Sequence, residues 1–507
     1  MITHRENTQM RVARLSVGLL GIVAMSACKT DLTSLNNNPN SPTTAPAPAL
    51  FTNATRSSIQ TLNGSFNTLS MTSLFAQHIA QIQYIDEDRG HIRPATTDAL
   101  FTNMYVGPLL DYQKVIIGAD SGAQPSTSGP ARVMQAWIYQ NLTDLWGDIP
   151  YDSALKGEGA LFKPLYSAQK DIYYGMLKSL TTAATAMAVG TTVNDLGLGN
   201  ADPIYKGDDS KWVKFANSLR ARLALRMVKN DPAKAATELT AAFAGGMLAS
   251  NADNAALVWP GDGVYDNPWA ANFAGRDDHR MSKTLVDTMN LLFDPRLKVY
   301  AQPTKADPTI YAGMQNGLDN TFTAGFFNTT SRPGTIFYPG STVYGTYGTA
   351  AGKKTPSYLL TYSEVQFILA EAANLSLGGL TPAAAAGYYN AGVTASITQW
   401  GGTAAEVATY LARPGVTYVA GATGLQQIGL QKWIAMFSQG TEAWTEWRRT
   451  GNPASIKPGP KMYSDALTQP YRLLYPANEQ SVNGAQLAKA IVAQGADLIS
   501  TKVWWNK

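Results

Sequence analysis

A single cysteine, Cys28, in 507 residues leaves no partner for an intramolecular disulfide, so the fold must be held by packing. Histidine is nearly as scarce, at four residues, and His78, His91 and His279 show none of the close spacing of a zinc pair. Charged residues make up only 15% of the chain, with a formal net charge of +4. Nucleic-acid binders carry a strongly basic face, and disordered chains combine high charge with few aromatics, so this balance argues against both. No GxSxG elbow supports a serine nucleophile. The acidic run Asp86, Glu87 and Asp88 lacks the glycine-punctuated spacing of a calcium loop. The expected complement of metals and cofactors is therefore none. Apolar runs are short as well: Leu15 to Met25 falls below the roughly 20 residues that span a bilayer, and no later run is long enough.

The position of the one cysteine is informative. His4, Arg5, Arg11 and Arg14 precede the apolar run, and the small residues Ser26 and Ala27 lead into Cys28, the pattern of a secretory signal. The segment MSAC resembles a lipobox with Met25 in place of the usual leucine, which implies a signal peptide over 1–27 and lipid attachment at Cys28. Lys29 after Cys28, rather than aspartate, suggests passage to the outer membrane. Removal of the leader takes three arginines and one glutamate, leaving 507 less 27, or 480 residues, with a net charge of +2. One acyl chain anchors only marginally, so stable attachment needs the two or three that lipoproteins carry. The polar, Asn- and Pro-rich stretch over 28–48 is expected to be a flexible tether, with the globular domain at 49–507.

That domain exceeds the roughly 250–300 residues at which one compact core stops growing, so a layered helical body or several domains are implied. Apolar residues recur at helical spacing over Leu50–Tyr84, Ala131–Leu145, Ala168–Met187, Lys211–Val228, Pro232–Ala244, Ser282–Phe293, Tyr362–Leu377, Pro382–Trp400 and Leu425–Trp447. Asp209 or Ser210 is placed to cap the helix from Lys211, and Ser363 the helix from Glu364. Gly378-Gly379 ends that helix and Thr381-Pro382 starts the next, giving a hairpin of tetratricopeptide size. The fold class read from this is mostly α: a tetratricopeptide-like helical-hairpin scaffold with long irregular loop insertions and few short strands. A generic helical hairpin is the plainer alternative.

Three long segments interrupt the helices: Asp86–Tyr105, Asn251–Arg276 and Pro303–Pro356. They hold Trp259, Tyr265, Trp269, Phe273, Tyr338, Tyr344 and Tyr347, too many aromatics for disorder, so ordered insertions are expected, with short strands such as Gly334–Tyr338. A sugar offers a C–H face to an aromatic ring and a rim of hydroxyls to planar polar groups. The loop WPGDGVYDNPW supplies both, with Trp259, Tyr265 and Trp269 beside Asp262, Asp266 and Asn267. QYIDEDRGHIR adds Tyr84, Asp86 and Arg89. In these readings the aromatics stack and Asp266, Asn267 and Arg89 hydrogen-bond to ligand; the competing reading packs them on the scaffold. The stripe Trp433, Phe437, Gly440, Trp444, Trp447, spaced by 4, 3, 4 and 3, reads as core on one side of a helix. Glu442 and Glu446 on the same stretch, with Arg449 nearby, suggest an ion pair at a packed helix end; a glycoside-hydrolase carboxylate pair is the alternative.

Four stretches together resemble the SusD/RagB family: LTDLWGDIPYDSAL, YKGDDSKWVKFANSLRARLALR, RDDHRMSKTLVDTM with the FDPRL that follows, and EAWTEWRRTGNP with RLLYPANEQSVN. With the lipobox and the Trp504-Trp505 ending, the resemblance spans nearly the whole chain. It implies a SusD-like nutrient-binding outer-membrane lipoprotein facing the cell surface, not an enzyme. Such a protein passes a nutrient, here expected to be an oligosaccharide, to a SusC-like TonB-dependent transporter. The same fold binding peptides, as in the RagB branch, or another small nutrient remains open. Ligand in this family is held by early loops and a mid-chain insertion, broadly where Tyr84–Arg89 and Trp259–Trp269 lie.

Overall fold

Each periodic apolar stretch buries one face against its neighbours, and in the computed structural model these stretches form a layered stack of helices. The described residues are 45–190, 195–319, 326–337, 350–463 and 468–507. The chain divides into Met1–Pro46 and a compact unit, Ala47–Lys507. The leader, Cys28 and the tether as far as residue 44 lie outside the described residues, as do Tyr338, Tyr344 and Tyr347.

In chain order the longer helices are α1 (Ala47–Leu62), α2 (Pro94–Met104), α3 (Leu110–Ser121), α4 (Pro125–Trp146), α5 (Gln169–Val189), α6 (Asp209–Arg226), α7 (Pro232–Ala244), α8 (Pro268–Phe273) and α9 (Lys283–Leu292). They continue with α10 (Tyr362–Asn374), α11 (Ala385–Gln399), α12 (Ala404–Leu411), α13 (Ala422–Ala435), α14 (Gly440–Thr450), α15 (Ala477–Val482) and α16 (Gly484–Gln494). From α3 to α7 each helix packs on the next, and α10 packs on α11 in the same way. This is a tetratricopeptide-like scaffold of helical hairpins. At the α10–α11 crossing a side chain at Gly392 would lie 2.9 Å from the Phe367 ring, so only glycine admits this approach.

Among the described residues, three two-stranded antiparallel sheets join separate segments of the chain. β1 (Ile79–Gln81) pairs with β5 (His279–Met281), β2 (Ile149–Pro150) with β3 (Tyr166–Ser167), and β4 (Ala255–Leu257) with β6 (Ser357–Leu360). Among the described residues strands are thus few and short, while Trp146, Trp212, Trp433, Trp444 and Trp505 are fully buried. Burying an indole removes on the order of 200 Å² from water, worth about 5 kcal/mol of transfer free energy.

Several boundaries differ from the periodicity reading. The apolar pattern over Leu50–Tyr84 is not one helix: α1 ends at Leu62, a π-helical stretch runs over Ser65–Thr72, and β1 follows. Gly64 sits at the break in an extended conformation (φ −69°, ψ 166°). Within Asp86–Tyr105, read as loop, lies α2. Its buried residues Thr97, Leu100, Phe101 and Met104 do keep helical spacing, but the first is a threonine and hides the pattern. Leu425–Trp447 divides into α13 and α14 at Ser438, whose φ is +71°. The indole stripe therefore spans two helices, with Trp433, Phe437 and Trp444 in the core. The expected strand at Gly334–Tyr338 is a 3-10 turn over Thr335–Phe337. Caps shift by a residue or two: Asp208 caps α6 and Thr361 caps α10, while Ser363 bonds across to the Gly392 carbonyl at 2.8 Å.

Under the stack lies a buried charge network. Arg226 on α6 meets Asp144 on α4 and Glu442 on α14, with Glu446 at 3.6 Å. Arg222 pairs with Glu364 at 2.6 Å, Lys432 with Glu446 at 2.9 Å, and Arg449 with Glu371 at 2.6 Å. The C-terminal Trp505 donates its indole N–H to Asp144 at 2.9 Å, tying the chain end into the same cluster. One residue removed from such a set strands its partners in low dielectric, at a cost of about 3–5 kcal/mol.

Candidate functional site

Just after the break at Gly64, Phe66 is 69% exposed, although Asn67, Thr68 and Leu69 that follow it are buried. Beside it runs a groove of about 530 Å³, formed by the end of α1, the Ser65–Thr72 stretch, α2 and α8. Its walls are mostly apolar in area, with Gln60, Thr61, Ser65, Asn67, Thr96, Asn103 and Asn272 set among them. Gln60 and Asn103 are exposed and Asn272 half-buried, so their amides can offer donors and acceptors to a ligand, whereas Asn67 is buried and donates to the Leu62 carbonyl at 2.6 Å. The groove thus combines an exposed ring, a planar amide rim and a volume within the range of small-molecule sites.

The Trp259–Trp269 loop lies behind this groove. Trp259 and Trp269 are each only 2% exposed, and their indole N–H groups donate to Ser357 Oγ and Thr68 Oγ1, both at 2.9 Å. Trp269 packs among Phe273, Phe337 and Phe437. A stacking platform needs a free face, so the expected roles of Trp259 and Trp269 give way to core packing. Asn267 is also buried, because it caps α8: its Oδ1 accepts from the Trp269 and Ala270 amides, and its Nδ2 donates to the Thr355 carbonyl at 2.8 Å. Asp266 accepts from the Gly263 amide at 2.9 Å and pairs with Lys353 at 3.2 Å, which occupies it in holding the loop. Tyr265 remains half-buried, with the Arg56 guanidinium 4.0 Å from its ring centre. The loop therefore seats α8, and through α8 contributes Pro268, Ala271 and Asn272 to the groove.

The second set of expected residues stays at the surface. Tyr84 is 59% exposed and held at φ +55°, with Arg276 4.9 Å from its ring centre. Arg276 lies three residues beyond the end of α8 and pairs with Asp278 at 2.5 Å. Asp86 accepts from the Tyr463 hydroxyl at 2.9 Å, and Arg89 lies over the Tyr463 ring at 4.2 Å while donating to the Lys461 carbonyl at 2.6 Å. Beneath them burial pushes the Asp88 carboxyl up to about 7, against hydrogen bonds from Asn316, Gln81 and Gly317.

Glu442 and Glu446 face each other across arginines. Burial raises a carboxylate, but Arg449, Lys432 and Arg226 outweigh it and hold Glu446 well below the usual range. A glycosidase general acid must be protonated near neutral pH, which Glu446 is not. Among the described residues no cluster of three or more His, Cys, Asp or Glu is placed to hold a metal ion. Phe66, Asn103, Asn272, Arg276 and Tyr463 are the surface residues that sequence reasoning missed. The signal was present in NGSFN, an aromatic among amides next to a glycine break, but the apolar pattern ran through it.

Residues 37–476 match the SusD-like family described as "Starch-binding associating with outer membrane". No curated protein sequence matches the chain. Among solved structures, a chitin-binding protein is 27% identical with a TM-score of 0.77, the match covering 91% of this chain and 100% of the other. A chitin-binding SusD homologue from Flavobacterium johnsoniae is 24% identical with a TM-score of 0.76, covering 91% and 98%. A SusD homologue from Bacteroides uniformis is 23% identical with a TM-score of 0.77, covering 91% and 99%.

Proposed function

Given that the chain belongs to the SusD-like family, we propose that it is a surface lipoprotein that captures an oligosaccharide in the Phe66 groove, without catalysis, and delivers it to a SusC-like TonB-dependent transporter. The observation that carries the ligand class is the groove itself: an exposed ring beside the accessible amides of Gln60, Asn103 and Asn272. Phe66 supplies the stacking face, Gln60, Asn103 and Asn272 the rim, and Tyr84 and Arg276 extend the surface for a longer chain. Asp86 and Arg89 act here by positioning that surface through Tyr463.

The anchor is assigned to Cys28 after cleavage at residue 27, with residues 28–48 as tether. No helix among the described residues is long and apolar enough to cross a membrane, which is compatible with attachment through lipid. The family's outer-membrane association supports the location. The chitin-binding relative makes chito-oligosaccharides the first ligands to try. Calorimetry with chito-, malto- and xylo-oligosaccharides and an oligopeptide set tests the reading. One glycan class should bind, and Phe66→Ala should weaken it by about tenfold, as loss of one stacked aromatic contact of about 1.5 kcal/mol implies. Unaltered affinity in Phe66→Ala, or binding of peptides alone, would defeat it.

A further inference from the structure

A second cavity, of about 500 Å³, is more strongly apolar than the groove. It opens where a π-helical stretch, Tyr105–Leu109, with Pro108 inside it, interrupts the run from α2 to α3, and where the chain after β2 folds back over α15. Phe101 and Tyr105 line it with rings 4.9 Å apart, and Tyr139 packs behind Tyr105 at 6.3 Å. The Tyr105 hydroxyl donates to the Pro150 carbonyl at 2.7 Å and so presents no free polar group. Val106 and Val482, 67% and 59% exposed, stand at the rim, and Leu155 is held in the left-handed region at φ +60° to complete a wall. A sugar placed here would lose water from hydroxyls that find few partners.

At one end the wall becomes anionic. Glu479 is half-buried and takes hydrogen bonds from the Tyr166 hydroxyl at 2.7 Å and the Asn483 amide at 3.4 Å, both neutral donors. Among the described residues it has no ion-pair partner, whereas Glu158, which also lines the cavity, is paired with Lys114 at 3.5 Å. Burial raises the Tyr166 phenol well above its ordinary range, and the neighbouring charge of Glu479 adds to it. An uncompensated carboxylate beside aromatic faces and aliphatic walls is the environment that favours an ammonium group on an apolar body.

We propose that this cavity binds a small apolar organic cation, its ammonium head at Glu479 and its hydrocarbon or aromatic body against Phe101, Tyr105, Val106 and Leu155. The site is separate from the carbohydrate groove and does not rest on that reading. Three ligands sharing one body and differing in the head test it on the full-length protein by calorimetry: 4-phenylbutylammonium, 4-phenylbutanol and 4-phenylbutyrate. The ammonium should bind about tenfold more tightly than the alcohol, the increment of a hydrogen bond to a charged group, and the carboxylate most weakly. Glu479→Gln should bring the ammonium to the level of the alcohol and leave the alcohol unchanged. Val106→Trp, which fills the mouth, should weaken all three. Equal affinity for the three heads, no binding of any, or an ammonium affinity indifferent to Glu479→Gln would overturn the assignment.

Discussion

Replacing Glu446 by glutamine separates a structural carboxylate from a catalytic one. Glu446 is buried and pairs with Lys432 at 2.9 Å and Arg449 at 2.8 Å, with Arg226 at 3.6 Å. Arg449 keeps Glu371, and Arg226 keeps Asp144 and Glu442, but Lys432, itself only 2% exposed, loses the carboxylate that neutralises it. Breaking a buried pair in this way costs about 3–5 kcal/mol. The unit Ala47–Lys507 has an unfolding entropy of about 1 kcal/mol/K, from roughly 2.1 cal/mol/K per residue, so Glu446→Gln should lower Tm by about 3–5 °C. Scanning calorimetry at one fixed scan rate reads this, since unfolding of a unit this large is commonly irreversible. Adding Lys432→Met should recover most of the loss, because the stranded ammonium is then gone. Glycan binding should stay at the wild-type value in both variants. A Tm within about 1 °C of wild type in Glu446→Gln, or no recovery in the double variant, would refute the reasoning.

Trp269→Ala should cost about 3–5 kcal/mol in urea unfolding through loss of core packing, while molecules that remain folded bind glycan as before; abolished binding with unchanged stability would return Trp269 to the site. Asp88 gives a pH signature. Its folded pKa of about 7 lies above its ordinary 3.8, so the stability it contributes is fully present below about 4 and is lost as pH rises through about 7. Asp88→Asn should therefore gain on wild type by about 3 kcal/mol between pH 5 and 8, read from urea midpoints; no change in the difference over that window contradicts the burial of a carboxyl there. Comparison with the variant is needed because burial lowers His78 and His279 to about 3, so their contribution changes with pH in the opposite sense. Charged His279 also feels Arg276 and Arg280. Glu446, held below the usual carboxylate range, acts only at more acid pH.

The helical scaffold was legible because its amphipathic faces repeat locally: α4, α5, α6, α7 and α9 stand within a few residues of their apolar patterns, apart from an earlier start to α4. The groove was not. Its walls come from residues 60–67, 95–103 and 268–272, which periodicity cannot bring together, and the π-helical stretch after Gly64 continues an apolar pattern through a change of direction. The Trp259–Trp269 loop shows a different limit. Aromatics beside acids describe a sugar platform and a buried anchor equally well, and what decided here was local: Asn267-Pro268 starts a helix, with asparagine as cap and proline at the first turn, which turns Trp269 inward. Tyr84 remained outside because the chain leaves β1 through its left-handed backbone.

The most direct test of the account is a crystal structure of the protein with the glycan that binds most tightly in the calorimetric panel. Sugar density in the groove is predicted, with a ring against Phe66 and hydroxyls within hydrogen-bonding distance of the Asn103 and Asn272 amides. Density on another face, with the groove empty at saturating ligand, would contradict it.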